Sequence, residues 1–274
     1  MTPVTGRWSK VITYTVLVAL ALMTAFPVLY ALSVSLMSQE DFNAGAFFPT
    51  EFTPENYARA TESFPLLKYL LNSMVMSLLV TMALLVTSST AAFAFTFVKF
   101  RGRSFFFAVI ISTMMIPWEA TIIVNFQTVR DLDWLNTFAG LSVPSFATAF
   151  GIFLLRQSFL TLPNDLYDAA RIDGCPRRRF FVTMVLPLSR PMLATLAVYG
   201  FLTTWNKYLW PLLVTSDDSV RTVQIGLKMM QGEEMTAWPV VMAAVVMAIV
   251  PTVVVLLVGV RSLQRGLMSG ALKG

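Results

Sequence analysis

The sequence predicts an all-α fold, a polytopic membrane protein with six transmembrane helices, and three observations carry that prediction. Of its 274 residues 56% are hydrophobic and only 13% charged, with a mean hydropathy of +0.69, too apolar for a soluble surface of this size. Six apolar stretches reach the roughly 20 residues that a helix needs to cross a hydrocarbon core about 30 Å thick. Between those stretches, the charged residues change sign from one segment to the next.

Taken in order, residues 1–10 are a short basic segment holding Arg7 and Lys10. The first span, 11–36, is too long an apolar run for a secretory signal and reads as a retained anchor. Segment 37–69, with EFTPENYARA, is polar and reads as a folded external loop. The second and third spans, 70–98 and 104–126, flank a basic turn with Lys99, Arg101 and Arg103. The fourth, 136–160, leads into a polar loop at 161–190, and the fifth and sixth occupy 189–214 and 239–260. The expected organisation is thus an anchor helix, an external loop, a five-helix core at 70–262 that contains the polar loop, and a tail at 263–274. Pro27, Pro117, Pro144 and Pro251 fall inside spans, where a lost backbone donor kinks a helix and neighbours re-satisfy the freed carbonyl.

Sidedness follows from the loops. The N-terminus, the 99–103 turn, residues 156–190 and the C-terminus carry fourteen Lys and Arg against three Asp and Glu. The opposite segments, 37–69, 127–135 and 215–238, carry five against eleven, so both termini are expected in the cytoplasm. The net charge of +5 is therefore sorted by membrane side, which argues against nucleic acid as its target.

Several chemistries are excluded or unsupported. The chain has no histidine and one cysteine, Cys175, so His-based catalysis and an internal disulfide are ruled out. No GxxxxGK[ST] phosphate loop is present, so the chain is not an ATPase. A membrane-embedded sensor or enzyme is the non-transport alternative, and neither paired intramembrane carboxylates nor a GxSxG element supports it.

The loop between the fourth and fifth spans carries the strongest message. Pro163 and Asn164 begin a short predicted helix containing Leu166, Ala169, Ala170 and Arg171. Gly174 and Cys175-Pro176 end it, and a second helical stretch runs from Arg177 to Leu186-Pro187. The small Ala169 and Ala170 would let a partner approach the backbone closely. Asp168-Ala169-Ala170, three residues, Gly174, nine residues, Met184, one residue and Leu186-Pro187 resemble the EAA signature of ABC importer permeases, Glu-Ala-Ala, three, Gly, nine, Ile, one, Leu-Pro. Asp168 and Met184 are the departures.

The resemblance spans essentially the whole chain and points to sugar-type importer permeases with six spans. IPWE (116–119), FLLRQSFLTLP (153–163), AARIDG (169–174) and WNKYLWPLLV (205–214) look like the permeases of glycerol 3-phosphate and glycerophosphodiester importers. GLMSGALKG (266–274) is similar to a tail that reaches toward the ATPase. Several partners are implied: a second permease subunit, two ATPase subunits that bind ATP and Mg, and an extracytoplasmic solute-binding protein touching loop 215–238. Importers of neutral sugars, oligosaccharides, amino acids or peptides are the alternatives. The implied ATPase-coupling residues are Asp168, Ala169, Ala170, Arg171, Gly174, Leu186 and Pro187, the implied location is a bacterial inner membrane, and no cofactor is expected in the chain itself.

Glu119 and Lys207 are charged residues at membrane depth, which is costly unless they face a cavity or a partner. Both count to the outer half of their spans, so an ion pair between them is one expectation. The other is that Lys207, with Trp205, Asn206, Tyr208 and Trp210, lines an outward-opening cavity and attracts an anionic phosphate. For Trp205 and Trp210, an interfacial aromatic belt is the plainer role.

Overall fold

The computed structural model describes residues 7–232 and 237–271, and every regular element among them is helical. In chain order these are α1 (Arg7–Ser35), α2 (Gln39–Asn43), α3 (Glu55–Glu62), α4 (Leu66–Phe97), α5 (Arg103–Ser112), α6 (Trp118–Asp131), α7 (Phe138–Ser142) and α8 (Ala149–Leu160). There follow α9 (Asn164–Ile172), α10 (Arg177–Phe180), α11 (Leu186–Leu188), α12 (Arg190–Trp205), α13 (Leu209–Val214), α14 (Val223–Met230) and α15 (Trp238–Ala271). Two compact units divide the described residues, one formed by residues up to 66 with 226–250, the other by 67–225 with 251 onward.

In the first unit, α1 is apolar all round, and Val11, Leu17, Met23 and Phe26 are each more than half exposed, as a helix facing lipid or another membrane helix must be. Pro27 lies inside it without ending it. The polar segment after α1 folds through specific bonds. Ser38 caps α2 by accepting from the Asp41 N–H, and Asp41 accepts from both the hydroxyl and the N–H of Thr50. Those bonds hold the Asp41 carboxyl below the usual carboxylate range. Buried Asn56 donates to the carbonyls of Ser35 and Met37 at 3.0 and 2.8 Å, fastening α3 to the end of α1.

In the second unit α4 buries Ser73, Ser77, Thr81, Ser88 and Ser89 along with Met76, Val80 and Leu84. Small polar residues on a membrane helix let neighbours approach closely. Gly200 of α12 shows the consequence, since a Cβ there would stand 2.8 Å from Leu84 Cδ2. One apolar cluster joins Leu84, Ala92, Leu155, Phe159, Ala170, Phe180, Val185 and Leu196, and another joins Met76, Ile122, Val129, Leu141, Trp210, Val214 and Val220.

Three spans are unbroken helices, Lys10–Ser35, Leu66–Phe97 and Trp238–Val260, close to the predicted first, second and sixth. The other three are bent pairs, which corrects the expectation of simple kinks. Arg103–Met115 and Trp118–Asp131 meet at 99°, Phe138–Ser145 and Ala149–Leu160 at 47°, and Arg177–Leu188 and Arg190–Trp205 at 78°. The first break is the steric effect of Pro117 on Ile116, which is extended at φ −90°, ψ 113°. Pro191 lacks the N–H that would continue the helix across Ser189. The predicted 189–214 span is interrupted a second time, because α12 ends at Trp205 and α13 starts only at Leu209.

Candidate functional site

The candidates fall in two places, both within the second unit. In the polar loop, Asp165 in the first turn of α9 and Arg171 in its last complement the helix dipole. Gly174 ends the helix in the left-handed region at φ +66°, its N–H donating to Arg171 O at 3.1 Å while the Cys175 N–H reaches Ala170 O at 2.8 Å. Nothing lies within 4 Å of where a Gly174 Cβ would stand. Asp168 and Arg171 form an exposed pair at 3.9 Å, and Ala169 is exposed with them.

Ala170 departs from expectation. It is 4% exposed and packs in the cluster of Ala92, Phe159 and Phe180, because successive helical residues point about 100° apart and only Ala169 can share the outer face with Asp168. The outer face of α9 instead carries Ile172, a large apolar side chain 86% exposed among charges. Beyond Gly174, α10 passes through one π-helical turn, Phe181–Val185, into α11, where Leu186 and Pro187 are half-buried and Met184 is exposed.

The second place is a cavity of about 670 Å³. Its walls combine apolar Val80, Leu84 and Phe150 with the hydroxyls of Thr113, Thr121, Ser145, Thr148, Tyr199 and Thr203. Lys207, in the break between α12 and α13, is the one charged side chain in that lining. Its Nζ donates to Ser145 Oγ at 2.6 Å and lies 5.3 Å from the centre of the Trp118 ring.

The expected Glu119–Lys207 ion pair is not among those formed by the described residues. The bend at Pro117 sets Glu119 in the exposed first turn of α6, where its charge suits the helix N-terminus. The expected Trp205–Trp210 cluster does not surround Lys207 either. Trp205 is buried and stacks on Phe201 at 5.6 Å, and buried Trp210 donates its Nε1–H to the carbonyls of Gly140 and Leu141, both at 3.2 Å. Asn206 turns back to cap α12 through Leu202 O at 2.8 Å, and Tyr208 is exposed outside the cavity lining. Trp118 and Ser145 are the residues that sequence reasoning missed. Within the span Glu119 stands out by its charge and Trp118 does not, and a lone serine beside Pro144 in an apolar run gives no signal of its own.

Residues 84–267 match the model of a family described as the binding-protein-dependent transport system inner membrane component. This chain belongs to that family. The sn-glycerol-3-phosphate transport system permease protein UgpE of Escherichia coli strain K12 is 36% identical over 271 residues, 95% of this chain and 96% of that protein. The UgpE of Shigella flexneri serotype 5b matches to the same extent. In fold the chain is similar to one from the crystal structure of a bacterial ABC transporter involved in the import of the acidic polysaccharide alginate. The TM-score is 0.83, with 24% identity, 94% of this chain and 97% of that chain covered. As a binding-protein-dependent transport component, the chain is a multi-pass permease subunit of the inner membrane, and the bent spans belong to its importer fold.

Proposed function

We propose that this permease carries sn-glycerol 3-phosphate or glycerophosphodiesters inward, together with a second permease subunit, two ATPase subunits that bind ATP and Mg, and an extracytoplasmic solute-binding protein. The observation that carries the reading is the 36% identity to glycerol-3-phosphate permeases along 95% of the chain. The cavity beside Lys207 is its share of the path, and the loop at 161–190 couples it to ATP hydrolysis. Asp168, Ala169, Arg171 and the exposed Ile172 form the docking face of α9, while Ala170, Gly174, Leu186 and Pro187 fix the shape of the loop. The basic loops support a cytoplasmic position for that face and for both termini. The test is copurification of the complete complex, with ATPase activity measured against the binding protein. The reading expects stimulation by binding protein loaded with glycerol 3-phosphate or a glycerophosphodiester. Stimulation confined to binding protein loaded with a neutral sugar contradicts the substrate assignment.

A further inference from the structure

Among the described residues that line the 670 Å³ cavity there is one cation, Lys207, and no carboxylate. An ammonium has three N–H donors, and here one of them goes to Ser145 Oγ at 2.6 Å. The Trp118 face, 5.3 Å from Nζ, holds the ammonium in place without neutralising it. Two N–H donors of Lys207 are left for a ligand. Ser145 Oγ accepts from the ammonium, so its own O–H proton also remains to be given.

Three of the other cavity hydroxyls spend their protons on backbone carbonyls. Thr121 donates to Trp118 O at 2.9 Å, Thr113 to Ile110 O at 2.7 Å and Thr203 to Tyr199 O at 2.8 Å. These oxygens retain lone pairs, so they can accept from a polyol but have no proton for an anion. The one cationic donor of the lining therefore sits in a single corner with Ser145, and hydroxyl oxygens able to accept are spread around it. A cavity of this size lies in the range of small-molecule sites.

We propose that Lys207 and Ser145 form an anion subsite that receives the phosphate group of the transported ligand, with the threonine oxygens accepting from its glycerol hydroxyls. The assignment rests on the importer reading above and adds which atoms of this subunit recognise the charge. Lys207 contacts the phosphate, Ser145 both contacts it and positions the ammonium, and Trp118 is a positioning residue.

The test is uptake of radiolabelled glycerol 3-phosphate by the complete complex in proteoliposomes, with rates expressed per assembled complex. Lys207→Gln removes a charge-assisted bond and is expected to lower kcat/KM about tenfold. Ser145→Ala is expected to lower it about threefold, mainly through KM, and Lys207→Arg retains most of the uptake. Unchanged kcat/KM in Lys207→Gln, with an active wild type, overturns the subsite and leaves the importer reading standing. A wild-type complex that accumulates a neutral sugar and no phosphate-bearing ligand overturns both. Should Lys207→Gln fail to assemble, Ser145→Ala decides alone, and an unaltered KM in that variant counts against the subsite.

Discussion

At Gly174 one backbone angle decides where a helix stops. The +66° φ is open to glycine and strained for other L-residues by about 1–2 kcal/mol, and no neighbour stands within 4 Å to add a clash. Gly174→Leu should therefore assemble but lose most substrate-stimulated ATPase, and Gly174→Asn should retain more, because asparagine tolerates the left-handed region. Equal activity of the leucine variant and wild type would remove the coupling role from this turn. The stop was legible in the sequence because glycine followed by Cys175-Pro176 leaves the chain few alternatives. The surroundings of Lys207 were not, since hydropathy does not reveal the 99° bend at Ile116-Pro117 after which Trp118, and not Glu119, meets the ammonium. Glu119→Gln should consequently leave uptake of phosphate ligands close to wild type, costing only a helix-terminal charge worth about 0.3–1 kcal/mol. Loss of uptake in Glu119→Gln, restored by adding Lys207→Gln, would reinstate the ion pair.

Among the elements, the apolar stretches were legible because hydrocarbon imposes a minimum helix length, and the first, second and sixth spans appear nearly as predicted. Bends were not, because hydropathy counts apolar residues without regard to direction. Of the four prolines inside predicted spans, Pro27 and Pro251 sit within continuous helices, Pro144 within the turn Val143–Ser145 just ahead of a break, and Pro117 at a break itself. Only before Pro117 does the preceding residue leave helical angles, Ile116 being extended while Val143 before Pro144 stays helical at φ −56°, ψ −42°. For α9, the spacing of the signature located the helix but not its faces, so Ala170 was expected outside and lies within. Ile172, 86% exposed, is the more informative position of that element. Ile172→Asp should cost the fold little, within about 0.5 kcal/mol as for other surface substitutions. It should, however, uncouple ATP hydrolysis from loaded binding protein. Normal stimulation in an assembled Ile172→Asp complex would place the docking face elsewhere.

For the molecule as a whole, the sorted loop charges predict which segments face which side, and this is directly measurable. In a Cys175→Ser background, Asp217→Cys should react with an impermeant thiol reagent in cells with a permeabilised outer barrier, and Arg101→Cys should not. The reverse pattern would invert the topology and move the coupling loop away from the ATPase. The most direct test of the central claim is transport itself. Proteoliposomes containing the complete complex, enclosing ATP and Mg, are supplied with binding protein carrying radiolabelled glycerol 3-phosphate. The account predicts accumulation that requires both ATP and the binding protein and is lost in Ile172→Asp. Accumulation without ATP, or none with every partner present, would contradict it.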